Sequence, residues 1–194
     1  LQAFAADMME RFAIRNSDLV ITVSRELAQF RKHQGCRRVE IVPNGVDVEL
    51  FSNAKARRRA SQRGRRFIFA GYLGGGWGLE TMIQAFCEAT RRSPMSLTIV
   101  GDGPIRQTLE TQVESLGLSS NVFFVGKVNH RNLPDYFGQA DFGIAPYEPG
   151  SPADFNSSLK VREYMAAGLP VITTKVGDLP DLMTESQAGL TVNC

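Results

Sequence analysis

Ser157-Ser158-Leu159-Lys160, followed one helical turn later by Glu163, is the group of residues best suited to chemistry on a phosphate. Serine opens helices, and helix-N-terminal amides beside a lysine ammonium make a diphosphate site. A carboxylate one turn on can accept two hydroxyls, as a ribose diol requires. The same residues also fit a plain helix cap with an i,i+3 ion pair, which contributes only about 0.2–0.5 kcal/mol. A second candidate is Gly71-Tyr72-Leu73-Gly74-Gly75-Gly76-Trp77-Gly78, where glycines such as Gly74 and Gly75 allow a backbone to approach a phosphate. Its spacing does not match the G-x-G-x-x-G dinucleotide fingerprint, and a flexible connection is the competing reading. Gly101-Asp102-Gly103-Pro104 is a tighter turn for which a structural role is the simpler reading. His33 and His130 stand alone, without acidic or cysteine partners at ligand spacing, so no metal site is expected. His130 is placed at a helix start.

These residues need strands and helices to hold them, and the hydrophobic pattern supplies both. Leu19–Val23 and Val39–Val42 read as short strands around a helix from Ser24 to Gln34, with Ser24 as N-cap and Gly35 as stop. Pro43-Asn44-Gly45 is a turn. Residues 52–66 are polar and basic and read as a linker or loosely packed segment. The alternation then resumes: Phe67–Gly71, Leu97–Gly101, VFFVG, FGIAP and Pro170–Thr174 are strands. Helices fall at Leu79–Arg92, from Pro104 to Leu116, around Leu133–Phe137 and at Ser158–Ala167. Gly189–Val192 is a last strand that stops without a covering helix. Strands separated by helices of this length predict an α/β fold, a Rossmann-like parallel sheet with helices on both faces. Such sheets bind ligands at the carboxyl ends of their strands, where the glycines lie.

Composition narrows the partners. A net charge of +2 over 194 residues argues against nucleic acid. The three cysteines are odd in number and widely spaced, which fits neither a disulfide framework nor a zinc site, so a reducing, cytoplasmic setting is expected. No stretch approaches the roughly 20 apolar residues needed to span a bilayer. Arg57-Arg58-Arg59 and Arg63-Gly64-Arg65-Arg66 admit peripheral contact with anionic lipid at the inner membrane face, although a solvated linker is the simpler reading. The chain begins at Leu1, and its first strand–helix run is too short for a domain, so it reads as a fragment of a two-domain protein.

Taken in order, SDLVITVSRELAQF, IVPNGVDVELF, FAGYLGGGWGLETMIQAF, LTIVGDGPIRQTLE, LGLSSNVFFVGKV, LPDYFGQADFGIAP and SSLKVREYMAAGLPVITT resemble the retaining GT-B glycosyltransferases. That large family (group 1, or family 4 type) includes sucrose synthases and bacterial mannosyltransferases. The resemblance implies that 1–45 is the tail of an N-terminal acceptor domain, 46–66 an interdomain linker and 67–194 a nucleotide-sugar-binding domain truncated at its C-terminus. By the same resemblance, Glu163 matches the second glutamate of the family's Glu-x7-Glu motif and implies ribose binding. Ser158 and Leu159 match the amides that hold the donor diphosphate. Gly126, Lys127 and Val128 match the border of the nucleobase, and Asn44, Gly45 and Asp47 the interdomain hinge.

Three departures from the family pattern stand out. Phe155 occupies the place of the motif's first glutamate, which normally contacts the sugar, with Asp154 the nearby candidate to stand in. Tyr72 and Trp77 hold positions where an arginine and a lysine usually serve the diphosphate. Lys160 is then the main cation left there. The implied activity is transfer of a sugar, with retention, from a nucleoside-diphosphate donor to a carbohydrate or lipid-linked acceptor bound by the missing N-terminal domain. No metal or other cofactor is implied, Lys160 and Glu163 carry the chemistry, and the chain alone would be inactive. A catalytically inactive binding module on the same fold is the alternative, drawn from the lost glutamate and cations; a GT-B epimerase fits the motif order less well.

Overall fold

The computed structural model describes residues 2–57, 65–155 and 157–193. Helix α1 (Gln2–Asn16) leads into a parallel pair of short strands, β1 (Val20–Thr22) and β2 (Val39–Ile41), with α2 (Arg25–His33) between them. Ser24 caps α2 as the sequence predicts: its Oγ accepts from the Leu27 amide at 3.2 Å. The hydroxyl then donates to the Phe155 carbonyl at 2.9 Å, which ties α2 to a distant loop.

Helix α3 (Val48–Arg57) corrects the reading of residues 52–66 as a loose linker. Asp47 caps it by accepting from the Leu50 amide at 2.9 Å, and Phe51 and Ala54, one turn apart, are fully buried. Basic composition hid this helix, although Leu50 joins Phe51 and Ala54 on the face that packs against the core. Residues 58–64 of the expected linker lie outside the described residues, and so do Arg58, Arg59 and Arg63 of the basic run.

The main sheet begins at β3 (Arg65–Ala70). It is followed by α4 (Leu79–Thr90), β4 (Met95–Val100), α5 (Arg106–Ser115) and β5 (Val122–Gly126). A 3-10 turn at His130–Asn132 runs into α6 (Leu133–Phe137), and β6 (Phe142–Ala145) follows. Then come α7 (Leu159–Ala166), β7 (Val171–Thr174), α8 (Leu179–Ser186) and β8 (Gly189–Val192). All six strands are parallel, in the order β5-β4-β3-β6-β7-β8.

Alternate residues of the strands feed two cores, as a sheet covered on both faces requires. Phe69, Leu97 and Ile99 pack against α4 and α5 through Ile83, Phe86 and Leu109. Ile68, Ala70 and Val100 pack on the other face against Phe51, Phe137 and Tyr164. Arg66 and Asp141 pin the start of β3 beside that of β6, with Arg66 Nη2 2.8 Å from Asp141 Oδ1.

Tyr164 locks α7 against the sheet. Its buried hydroxyl accepts from the Ala70 amide at 2.8 Å and donates to the Ile144 carbonyl at 3.4 Å. Gly143 makes room for it, since a Cβ there would stand 2.5 Å from the Tyr164 ring. Desolvation pushes this phenol far above its ordinary range, so it stays a neutral donor and acceptor.

Candidate functional site

Chain order reverses between β3 and β6, because β4 and β5 extend the sheet to one side and β7 and β8 to the other. The crevice at such a reversal, outside the carboxyl ends of the strands, is where open parallel sheets bind ligands. A cavity of about 890 Å³ opens there. Its floor is two loops in backbone contact. The Gly71 amide donates to the Val100 carbonyl at 2.9 Å, and the Leu73 amide to that of Asp102 at 3.0 Å. A Cβ at Gly101 would collide with the Gly71 carbonyl, and one at Gly103 with that of Leu73. Glycine is required at both for the loops to touch.

Helix α7 forms the opposite wall. Ser158 caps it, its Oγ accepting from the Val161 amide at 3.3 Å, and sits 2.6 Å from the Tyr147 hydroxyl. Burial pushes the Tyr147 phenol up to about 12, so it too remains neutral. Asn44 braces the segment before the helix, its side-chain amide donating to the Ser157 carbonyl at 2.7 Å.

Lys160 is the cation of this wall. Its Nζ lies 4.1 Å from the centre of the Phe69 ring and 5.1 Å from that of Tyr147. A Cβ at Gly71 would stand 3.0 Å from that nitrogen, so Gly71 leaves the space the ammonium fills. Among the described residues the Lys160 ammonium has no ion-pair or hydrogen-bond partner, only the two ring contacts. Burial pulls its ammonium down to about 7, against an upward pull from Glu163. An ammonium held over aromatic faces without a carboxylate partner is poised for an anionic ligand.

Glu163, one turn on, has a side chain only 12% exposed, and its Oε1 is 2.7 Å from Nε2 of His130. The view of His130 as a lone histidine is corrected here. Its place at the start of a short helical turn agrees with the sequence, but its carboxylate partner comes from an element 33 residues away. No spacing rule could have found it.

Of the residues expected from the sequence, Lys127, Val128, Ser158, Leu159, Lys160 and Glu163 line the cavity. Gly74, Gly75 and Gly126 do not. Gly74 instead leaves room for two rings, since a Cβ there would stand 2.8 Å from Tyr72 and 3.0 Å from Trp77. Both aromatics line the cavity, Trp77 edge-on to Tyr147 at 5.8 Å. Phe155 and Asp154 are not part of its wall. Phe155 packs on Phe30 of α2 at 5.5 Å, and Asp154 accepts from the Gly150 amide at 2.8 Å. Among the described residues no three His, Cys, Asp or Glu side chains gather to hold a metal ion, and no helix is long and apolar enough to cross a membrane.

A parallel sheet covered on both faces, with its cavity at the strand-order reversal, defines the class as a doubly wound, Rossmann-like α/β fold. The chain belongs to the glycosyl transferases group 1 family, whose match runs over residues 64–194. It is 30% identical to an uncharacterised glycosyltransferase of Methanocaldococcus jannaschii, over 97% of this chain and 50% of that protein. It is 29% identical to a GDP-mannose-dependent α-(1-6)-phosphatidylinositol monomannoside mannosyltransferase of Mycolicibacterium smegmatis, over 92% of this chain and 50% of that one. Among solved structures, sucrose-phosphate synthase of Thermosynechococcus elongatus superposes with a TM-score of 0.79 at 25% identity, covering 96% of this chain and 48% of that one. Anabaena HepE, solved with UDP and glucose, superposes at 0.72 with 21% identity over 93% of this chain and 50% of its own, a likeness of fold. The chain thus spans about half the length of the relatives it matches.

Proposed function

We propose that this chain is the donor-binding half of a retaining glycosyltransferase that uses a nucleoside-diphosphate sugar. The observation that carries this reading is Lys160, an ammonium without an ionic partner among the described residues, beside the N-terminus of α7 in the cavity at the strand-order reversal. Two relatives lend it chemistry, since one depends on GDP-mannose and another was solved with UDP and glucose.

In this reading the diphosphate lies between the first amides of α7, at Ser158 and Leu159, and the Lys160 ammonium. The usual cations at Tyr72 and Trp77 are gone, but Lys160 reaches the same loop from the other side through the space left by Gly71. Glu163 holds the ribose, and Lys127 and Val128 border the base. The acceptor, a carbohydrate or a lipid-linked one, is held outside this chain. As the glycosidic bond to the donor breaks, negative charge grows on the leaving diphosphate. Preorganised amides and the ammonium meet it without reorganisation.

Glu163→Ala is expected to weaken nucleoside-diphosphate binding by about 1.5–3 kcal/mol, the worth of a hydrogen bond to a charged group, with the fold intact. Calorimetric titration checks this, and an unchanged affinity removes Glu163 from the site. Transfer by a catalytically competent protein carrying this chain is expected to persist in EDTA, because charge on the diphosphate is met by Lys160 and backbone amides. Activity lost to chelator and restored by Mg²⁺ or Mn²⁺ would sink the metal-free mechanism.

A further inference from the structure

A carboxylate can offer both oxygens to a ribose diol, but Glu163 does not have both free. Oε1 is engaged by His130 Nε2 at 2.7 Å, which leaves Oε2 as the uncommitted oxygen. The histidine is well placed to hold that carboxylate still. Its ring meets Phe51 edge-on, with centroids 5.4 Å apart and planes at 77°, and Phe51 is fully buried and stacked on Phe137 at 5.5 Å. Asn129 fixes the backbone beneath it by accepting from the Arg131 amide at 3.0 Å. The His130 side chain is nonetheless 58% exposed and lines the cavity, so its role is not to fill a core.

From this contact, and resting on the assignment of Glu163 to the donor ribose, we infer that His130 is a positioning residue for Glu163, and that the pair reads the ribose hydroxyls. A glutamate held at a single rotamer has already lost the side-chain freedom it would otherwise lose on binding. Removing His130 therefore costs affinity only for ligands that carry the hydroxyls. A histidine that merely stabilised the loop would affect every nucleotide alike.

The test is a binding comparison on this chain. Affinities are measured for UDP and GDP and for the 2′,3′-dideoxy form of each. The unaltered chain is expected to prefer the ribose form of its nucleotide by at least about tenfold. His130→Phe keeps a ring against Phe51 but cannot bond Glu163, and is expected to bring that preference down to within about threefold. Its effect on the dideoxy form should be negligible. His130→Gln, which can still donate to the carboxylate, should recover part of the preference. In a Glu163→Ala background His130→Phe should change nothing further.

If His130→Phe keeps the full preference while Glu163→Ala abolishes it, the positioning role is overturned and the ribose assignment stands. If Glu163→Ala itself keeps the preference, the ribose assignment fails and takes the inference with it. An unaltered chain that binds neither nucleotide overturns both.

Discussion

Lys160→Ala in a catalytically competent protein carrying this chain should lower kcat about 10²-fold, roughly 3 kcal/mol of barrier, while raising KM much less. In the proposed reaction, charge on the leaving diphosphate is greater in the transition state than in the bound donor, so a cation placed against it would act mainly on kcat. The helix dipole alone supplies only about half an elementary charge. Lys160→Arg should rescue in part at most. The ammonium sits in a space 3.0 Å from where a Gly71 side chain would begin, and a planar guanidinium is wider than the point charge it would replace.

The same lysine gives the site a pH signature. Its folded-state pKa lies near 7 against an ordinary 10.5, so in the empty cavity the proton leaves as pH rises through neutrality. Diphosphate binding needs the charged form, so affinity should fall as pH rises from about 7 toward 10, by at most tenfold per unit, and Lys160→Ala should flatten that slope. The stability of the empty chain moves the opposite way. The folded state holds fewer protons than the unfolded state between about 7 and 10.5, so this group makes stability rise with pH across that window. A kcat within about twofold of the parent, well under one kcal/mol, would make Lys160 a bystander.

Phe51→Ala should destabilise the chain by about 3–5 kcal/mol, the range for emptying a buried aromatic site. Phe51 is fully enclosed, stacks on Phe137 and supports the His130 ring, so its loss opens a void under the cavity wall as well as in the core. Chemical denaturation of the variant measures it. A loss below about 1 kcal/mol would mean that α3 is dispensable to this domain.

That helix shows where the sequence could and could not be read. Strands such as Phe67–Gly71 and caps such as Ser24 and Ser158 were legible, because alternation, N-cap chemistry and glycine stops are local signals. So was the cavity's general location, which stems from the order of strands and turns. Helix α3 was missed because its core-facing residues, Leu50, Phe51 and Ala54, fall in one short stretch and arginines dominate the sequence immediately after it. The contact between His130 and Glu163, and the aromatic cradle of Phe69 and Tyr147 around Lys160, join residues far apart in the chain. Only the packing of α7 across β3 and β6 creates them. The glycine-rich loop misled in a subtler way. Gly74 was expected to face a ligand and instead admits Tyr72 and Trp77, and the glycines that shape the floor are Gly71, Gly101 and Gly103.

The touching loops at that floor have an evolutionary consequence. Where one backbone lies directly against another, no side chain can be introduced at Gly101 or Gly103 without driving the loops apart, so drift at these positions is closed. Variation in what the cavity admits is left to lining side chains such as Tyr72, which is 63% exposed, and Lys127. The pocket can be retuned by exchanging side chains at its lip while the scaffold underneath stays the same.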